Sequence, residues 1–215
     1  MDFVLDQLDT LWVEAARIWN DGGWCMPLLA SLALITFAVG FHVQLRLAGK
    51  RYNDVPEGLW RRWIDLPERR EGPIGDLLDN VAGAPSVKEQ ATAFAEIRAT
   101  ELAPFMRDLR VMKVCVAAAP LLGLLGTVTG MLQTFGALAT GAGGDQTMAM
   151  VAKGISAALI TTETGLVIAI PGLFLRYLLT RKFDEYRAFL AHLETVCTQR
   201  LYARLQRQKR AHSAA

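Results

Sequence analysis

The chain has 215 residues, 52% of them hydrophobic, with a formal net charge of +2. That length would suit one soluble domain, but the apolar residues stand in long blocks with the charges gathered between them, which excludes an ordinary soluble globule. The net charge says little. Its distribution along the chain says more.

Residues 1–21 place Phe3, Leu5, Leu8, Leu11, Trp12, Ala15, Ile18 and Trp19 at helical spacing with the charges mostly opposite. This predicts an amphipathic helix on the outer membrane surface, with Trp19 and Trp24 suited to the interface. Residues 22–45 contain no Asp, Glu, Lys or Arg. At 1.5 Å per residue such a run crosses a hydrocarbon core of roughly 30 Å. It starts too far in, and follows acids rather than bases, so it is expected to remain in the mature protein as transmembrane helix 1 rather than serve as a cleaved leader. Leu28, Leu29, Leu32, Leu34, Ile35, Phe37 and Val39 predict a helix that faces lipid all round.

The segment 46–113 mixes bases with acids and contains Pro56, Pro67, Gly72, Pro73, Gly83 and Pro85, so it should break into short helices. Ser86-Val87-Lys88-Glu89 is a capping-box pattern that opens a longer helix leading toward the second span. Residues 114–139 form transmembrane helix 2, residues 140–152 a short outer loop, and residues 153–179 transmembrane helix 3. The tail, 180–215, repeats an apolar seam of Phe183, Tyr186, Leu190, Leu193, Cys197 and Leu201 near coiled-coil spacing, so span three should run on as one long helix. The expected fold class is an all-α membrane protein: three transmembrane helices with long cytoplasmic helical extensions.

Lys and Arg set the orientation. Arg46, Lys50, Arg51, Arg107, Arg110 and Lys113 flank the middle segment, and Arg176, Arg181, Lys182 and Arg187 follow the third span, whereas the N-terminal stretch is acidic. The N-terminus is therefore expected on the periplasmic side, and the middle segment and tail in the cytoplasm. Arg204 to Arg210 are explained by that rule, so no nucleic-acid partner is expected. Cys25, Cys115 and Cys197 lack metal-ligand spacing and read as small apolar fillers. No metal, cofactor or catalytic set is expected: His42, His192 and His212 are scattered, and no Ser/His/Asp arrangement or phosphate loop is present.

Spans two and three are unlike the first. In 119–136, Gly123, Thr127, Gly130 and Thr134 share a stripe, with Gly126, Thr129, Gln133 and Gly136 beside it. Span three aligns Ala158, Thr161, Gly165, Ala169 and Gly172, with Thr162 and Glu163 adjacent. Small residues let membrane helices approach closely, and threonines hydrogen-bond across the contact. Glu163 is the one acid inside a span, and such groups mark ion or substrate paths when they are not merely paired to a neighbouring helix.

The stretch Ala119-Pro120-Leu-Leu-Gly123-Leu-Leu-Gly126-Thr127-Val-Thr-Gly130-Met-Leu-Gln-Thr-Phe135 resembles the second-span signature of the ExbB/TolQ/MotA superfamily. Gly154-Ile-Ser-Ala-Ala-Leu-Ile-Thr-Thr162-Glu163-Thr-Gly165-Leu-Val-Ile-Ala-Ile-Pro171-Gly172 resembles its third-span signature. The resemblance covers roughly residues 25–200. It implies a multi-pass protein of the bacterial inner membrane, assembled as a homopentamer around two copies of an ExbD/TolR-like single-span partner that bears a membrane Asp. Ion flow, of protons or sodium, would then energise a TonB-like periplasmic effector and, through it, outer-membrane transport. By position, Thr127 and Thr162 would line the ion path, with Glu163 beside them, while Gly123, Gly126, Gly130, Gly165 and Pro171 would pack the pore helices against one another and membrane lipids. The best-known ExbB proteins carry a Glu where this chain has Ala157, and Glu163 is expected to tune ion access in its stead. A TolQ-like envelope role and a passive scaffold for the partner are the alternative readings.

Overall fold

The computed structural model describes residues 13, 15–50, 52, 55–139 and 144–213, and all of their regular structure is helical. Most of the surface helix expected over 1–21 lies outside these residues; 15–21 are helical and end at Gly22. Gly23 then takes a φ of 66°, a left-handed conformation that glycine adopts without steric cost. The turn leads into α1, Cys25–Gly49, which carries Arg46 in its last turn where a cation complements the helix dipole.

Two short helices follow, each set by its punctuation. Pro56 precedes α2, Glu57–Asp65, and Pro67 opens a 3-10 turn over Pro67–Arg69. Gly72 (φ 68°) and Pro73 start α3, Gly72–Ala82. Arg70 ties α2 to α3: its guanidinium donates to the carbonyls of Trp63 (2.8 Å) and Ile64 (3.2 Å), which the end of α2 leaves free, and to Asp79 at 2.6 Å.

Helix α4, Val87–Ala139, has 53 residues and α5, Asp145–Ser213, has 69. Both far exceed the roughly 20 residues that cross a bilayer. Ser86 caps α4: the Glu89 amide donates to its hydroxyl at 3.2 Å, and that hydroxyl meets the Glu89 carboxylate at 3.2 Å instead of leaving it to the Ser86 amide as a full capping box would. α5 starts within the stretch read from sequence as loop 140–152. Gly144, at φ 119°, makes the turn, and Asp145 supplies a negative charge at the positive end of the helix dipole. α1, α4 and α5 are each long and apolar enough to cross a membrane.

The chain forms two compact units, Met1–Gly40 with Arg110–Arg176, and Phe41–Leu109 with Tyr177–Ala215. In the second, α2 and α3 close over the facing seams of α4 and α5 around Trp60, Ile74, Leu78, Phe94, Leu193 and Cys197. Of the tail seam, Leu193 and Cys197 belong to this core, Phe183, Tyr186 and Leu190 are buried as well, and Leu201 is half-buried. Ion pairs sit on its rim, Arg98 to Glu194, Arg200 to Asp65, and His192 to Glu57 at 3.0 Å, and the His192 hydrogen bond holds the Glu57 carboxyl below its ordinary range. All three cysteines are buried and free. Burial pushes the Cys197 thiol up to about 11, only partly countered by Arg70. At pH 8 about one thiol in a thousand is then the reactive thiolate. Cys197 is accordingly expected to resist iodoacetamide in the folded protein and to react only after denaturation, read by peptide mass spectrometry.

Candidate functional site

The first unit is built on three helices whose contacts use small residues. Along α1, Met26, Leu29, Ala33, Thr36 and Gly40 follow an alternating three–four spacing, and all but the half-buried Ala33 are buried. This corrects the expectation of a first span facing lipid all round: one stripe is packed, and Leu34, Phe37 and Phe41 on the others are exposed. Thr36, 1% exposed, turns its hydroxyl back to the Leu32 carbonyl at 2.7 Å and so brings no unpaired donor into the contact. A side chain at Gly172 of α5 would meet Val116 of α4 at 2.9 Å and Thr36 at 3.3 Å, so the three helices converge there.

α4 and α5 approach closely, backbone against backbone. Ala119, Gly123, Gly126, Gly130 and Thr134 of α4 face Gly154, Ala158, Thr161 and Gly165 of α5, and all nine are buried. A Cβ on Gly123 would come within 2.9 Å of the Thr161 carbonyl, one on Gly130 within 2.6 Å of the Gly154 carbonyl, and one on Gly165 within 2.7 Å of the Ala119 carbonyl. These are backbone atoms, so only glycine permits the separation. Gly126 faces the Thr161 side chain, and Gly154 the Thr134 hydroxyl.

The threonines divide into two kinds. Thr134 and Thr161 are buried and bond only their own helices, Thr134 to Gly130 at 3.0 Å and Thr161 to Ala157 and Ala158 at 3.0 Å. Thr162 reaches across: its hydroxyl lies 3.2 Å from the Gly123 carbonyl and 3.3 Å from that of Ala158. The Gly123 carbonyl is also the helical acceptor for the Thr127 amide, four residues on. The Thr127 amide and the Thr162 hydroxyl therefore share one acceptor. Both are half-buried, and the Thr127 hydroxyl turns to Leu124 at 2.7 Å.

Glu163, next to Thr162, is exposed on the outer side of α5. Pro171 is exposed as well, away from the α4–α5 seam. Its missing N–H frees the Val167 carbonyl, also on the exposed side, without interrupting α5. Gln133 and Gly136, aligned beside the stripe by sequence, lie outside the contact, and a Cβ on Gly136 would meet nothing within 4 Å. Sequence reasoning missed Thr36, Gly40 and Gly154; the alternating spacing on α1 was the available signal for the first two. Among the described residues no group of His, Cys, Asp and Glu could hold a metal.

The arrangement offers hydroxyls and one carboxylate, half-buried or exposed along apolar helices, and no nucleophile–base pair. Hydroxyls both accept and donate, which suits a passing proton or a cation stripped of water. Residues 79–191 match the family described as the MotA/TolQ/ExbB proton channel family. A Synechocystis protein described as biopolymer transport protein ExbB-like 1 is 40% identical over 101 residues, covering 45% of this chain and 40% of its own length. Biopolymer transport protein exbB1 of Vibrio cholerae is 38% identical over 88 residues, 41% of this chain and 38% of that one. Biopolymer transport protein ExbB of Helicobacter pylori is 37% identical over 97 residues, 45% of this chain and 65% of that one. The chain spans about two fifths of the length of the Synechocystis and Vibrio relatives it matches.

Proposed function

Since the chain belongs to the MotA/TolQ/ExbB proton channel family as an ExbB-type, multi-pass membrane protein, we propose that it is the pore-forming subunit of an inner-membrane motor that couples ion flow to outer-membrane transport. The observation that carries this reading is the Thr162 hydroxyl, which crosses to the Gly123 carbonyl one turn before Thr127, with the exposed Glu163 beside it. The glycines of the α4–α5 seam, Gly123, Gly126, Gly130, Gly154 and Gly165, are consumed in packing one protomer, so they are not the ion path. What remains for the path are the groups that stay half-buried or exposed. They supply hydroxyls and a carboxylate but no aspartate in any span, which fits a partner that brings the membrane Asp.

In this reading the N-terminus is periplasmic, the charged helical extensions are cytoplasmic, and five protomers enclose two copies of an ExbD/TolR-like helix that drives a TonB-like effector. The exposed apolar residues of α4 and α5, among them Leu121, Leu132, Phe135, Leu166 and Phe174, then face lipid, neighbouring protomers or that helix. Each unit charge crossing 100 mV releases about 2.3 kcal/mol, so a few ions suffice for a mechanical step. One observation favours the scaffold reading: the small residues are already used up inside a single chain, as they would be in a protein that only holds a partner. A native mass of the detergent-purified complex, co-expressed with its genomic neighbours, separates the two. Five copies retaining a single-span protein with a membrane Asp are expected. A monomer or dimer without such a protein would overturn the motor.

A further inference from the structure

One face of α4 takes no part in the contacts described so far. Val114, Leu121, Leu124, Val128, Leu132 and Phe135 are all exposed. At about 100° of turn per residue they lie within about 40° of the line through Arg110. Thr127 stands about 100° from that line, so this stripe is not the face that carries it. From Val114 to Phe135 the stripe rises about 32 Å, which matches a hydrocarbon core of roughly 30 Å. Arg110 lies one turn before Val114, and Lys113 one turn before Ala117. Both cations therefore stand at headgroup level, at one edge of that core.

Side-chain size decides what covers the stripe. Where α4 meets α5 it presents Gly123, Gly126 and Gly130, as close helix contacts in a membrane require. The stripe presents leucine, valine and phenylalanine instead. Such side chains hold a second backbone at a distance and offer their surface to acyl chains.

Arg110 and Lys113 are exposed, and neither makes a hydrogen bond or ion pair with any described residue. Asp108, the nearest acid in sequence, lies about 160° round the helix from Arg110 and stands 3.9 Å from Arg107. Residues three apart on a helix are neighbours, so one phosphate can meet both cations. The guanidinium brings a fork of donors and the ammonium a point charge, and both suit phosphate oxygens. Their apolar stems can lie along Val114 and Ala117 while the charged ends stay at the water boundary.

We propose that Arg110 and Lys113 bind the phosphate of an anionic phospholipid whose acyl chains run along Val114, Leu121 and Val128. Only the choice of the inner leaflet rests on the orientation given under the proposed function; the site itself requires that α4 spans the membrane. Dioleoyl phosphatidylglycerol is the probe, and dioleoyl phosphatidylcholine its chain-matched zwitterionic counterpart. Each is titrated into the full-length protein in detergent, and bound lipid is counted by native mass spectrometry. Phosphatidylglycerol is expected to bind more tightly. Arg110→Gln and Lys113→Gln should each weaken it about fivefold, and the double variant should bind the two lipids alike. Arg110→Lys should keep most of the preference. Lys153→Gln removes the same charge from an exposed position near the start of α5 and should change nothing. The same spectra give the copy number, so failure of the five-fold assembly and failure of this site are read separately. Equal binding of both lipids by the unaltered protein would overturn the proposal, as would phosphatidylglycerol affinity retained in the double variant. An equal loss in Lys153→Gln would do the same, because it would make the preference one of overall charge. Displacement of the lipid by inorganic phosphate would also overturn it, in favour of a site for free anions. So would an assembly that carries no lipid, as when a neighbouring copy covers the stripe.

Discussion

Gly165→Ala is expected to disrupt the first unit far more than the loss of one glycine's flexibility would suggest. In a helix interior alanine is normally the better residue, by about 1 kcal/mol. Here the added Cβ would stand 2.7 Å from the Ala119 carbonyl oxygen and 3.3 Å from the Gly123 Cα. Neither can rotate away, so α4 itself has to move, and Gly123 and Gly126 lie further along the same seam. Overpacking of this kind costs about 1–3 kcal/mol, and more where backbone blocks relief. A fall of roughly 5 °C in the melting temperature of the purified protein is the expected reading. Gly130→Ala should behave alike, because its Cβ meets the Gly154 carbonyl at 2.6 Å and the Ala158 Cβ at 2.8 Å. Gly136→Ala is the matched control: nothing lies within 4 Å, so alanine should leave stability unchanged or raise it slightly. Equal melting of Gly165→Ala and Gly136→Ala would mean that the seam is not closed as described.

These three glycines also show what the sequence discloses and what it withholds. Their spacing marks α4 and α5 as close-packing helices, because only small residues at such intervals leave a groove for a second backbone. The spacing does not tell Gly130 from Gly136, since that depends on where α5 crosses. The three apolar runs are legible because their length answers to bilayer thickness. The packed stripe of α1 is hidden for the opposite reason: nearly every residue in that run is apolar, so hydropathy offers no contrast between a lipid face and a packed one. Only the alternating positions of Met26, Leu29, Ala33, Thr36 and Gly40 reveal it. The early start of α5 escaped because Gly143 and Gly144 read as loop, whereas Asp145 acts as a helix N-terminal acid.

Thr162→Val should separate packing from ion movement, and it carries the largest functional effect expected. Valine keeps the branched shape and loses the hydroxyl. The Gly123 carbonyl keeps the helical amide of Thr127 as a donor, so no buried acceptor is orphaned. Interhelical hydrogen bonds of this type average about 0.6 kcal/mol in membrane bundles, so melting should hardly change. Ion flux in proteoliposomes that contain the partner should nevertheless fall at least about tenfold if the hydroxyl passes the ion, a barrier increase of about 1.4 kcal/mol. Thr127→Val is expected to match it. Thr161→Val supplies the contrast, because that hydroxyl is 1% exposed and bonds only Ala157 and Ala158 on its own helix. Flux through Thr161→Val should stay close to that of the unaltered protein. Glu163→Gln keeps the size of the side chain and removes its charge, and should lower flux without lowering stability, since the carboxylate is exposed and outside the α4–α5 seam. A hydroxyl that merely braces α5 on α4 would give the reverse pattern, with Thr162→Val losing a little stability and no flux. Retained flux in Thr127→Val, Thr162→Val and Glu163→Gln together would reduce these helices to a scaffold and assign the whole ion path to the partner.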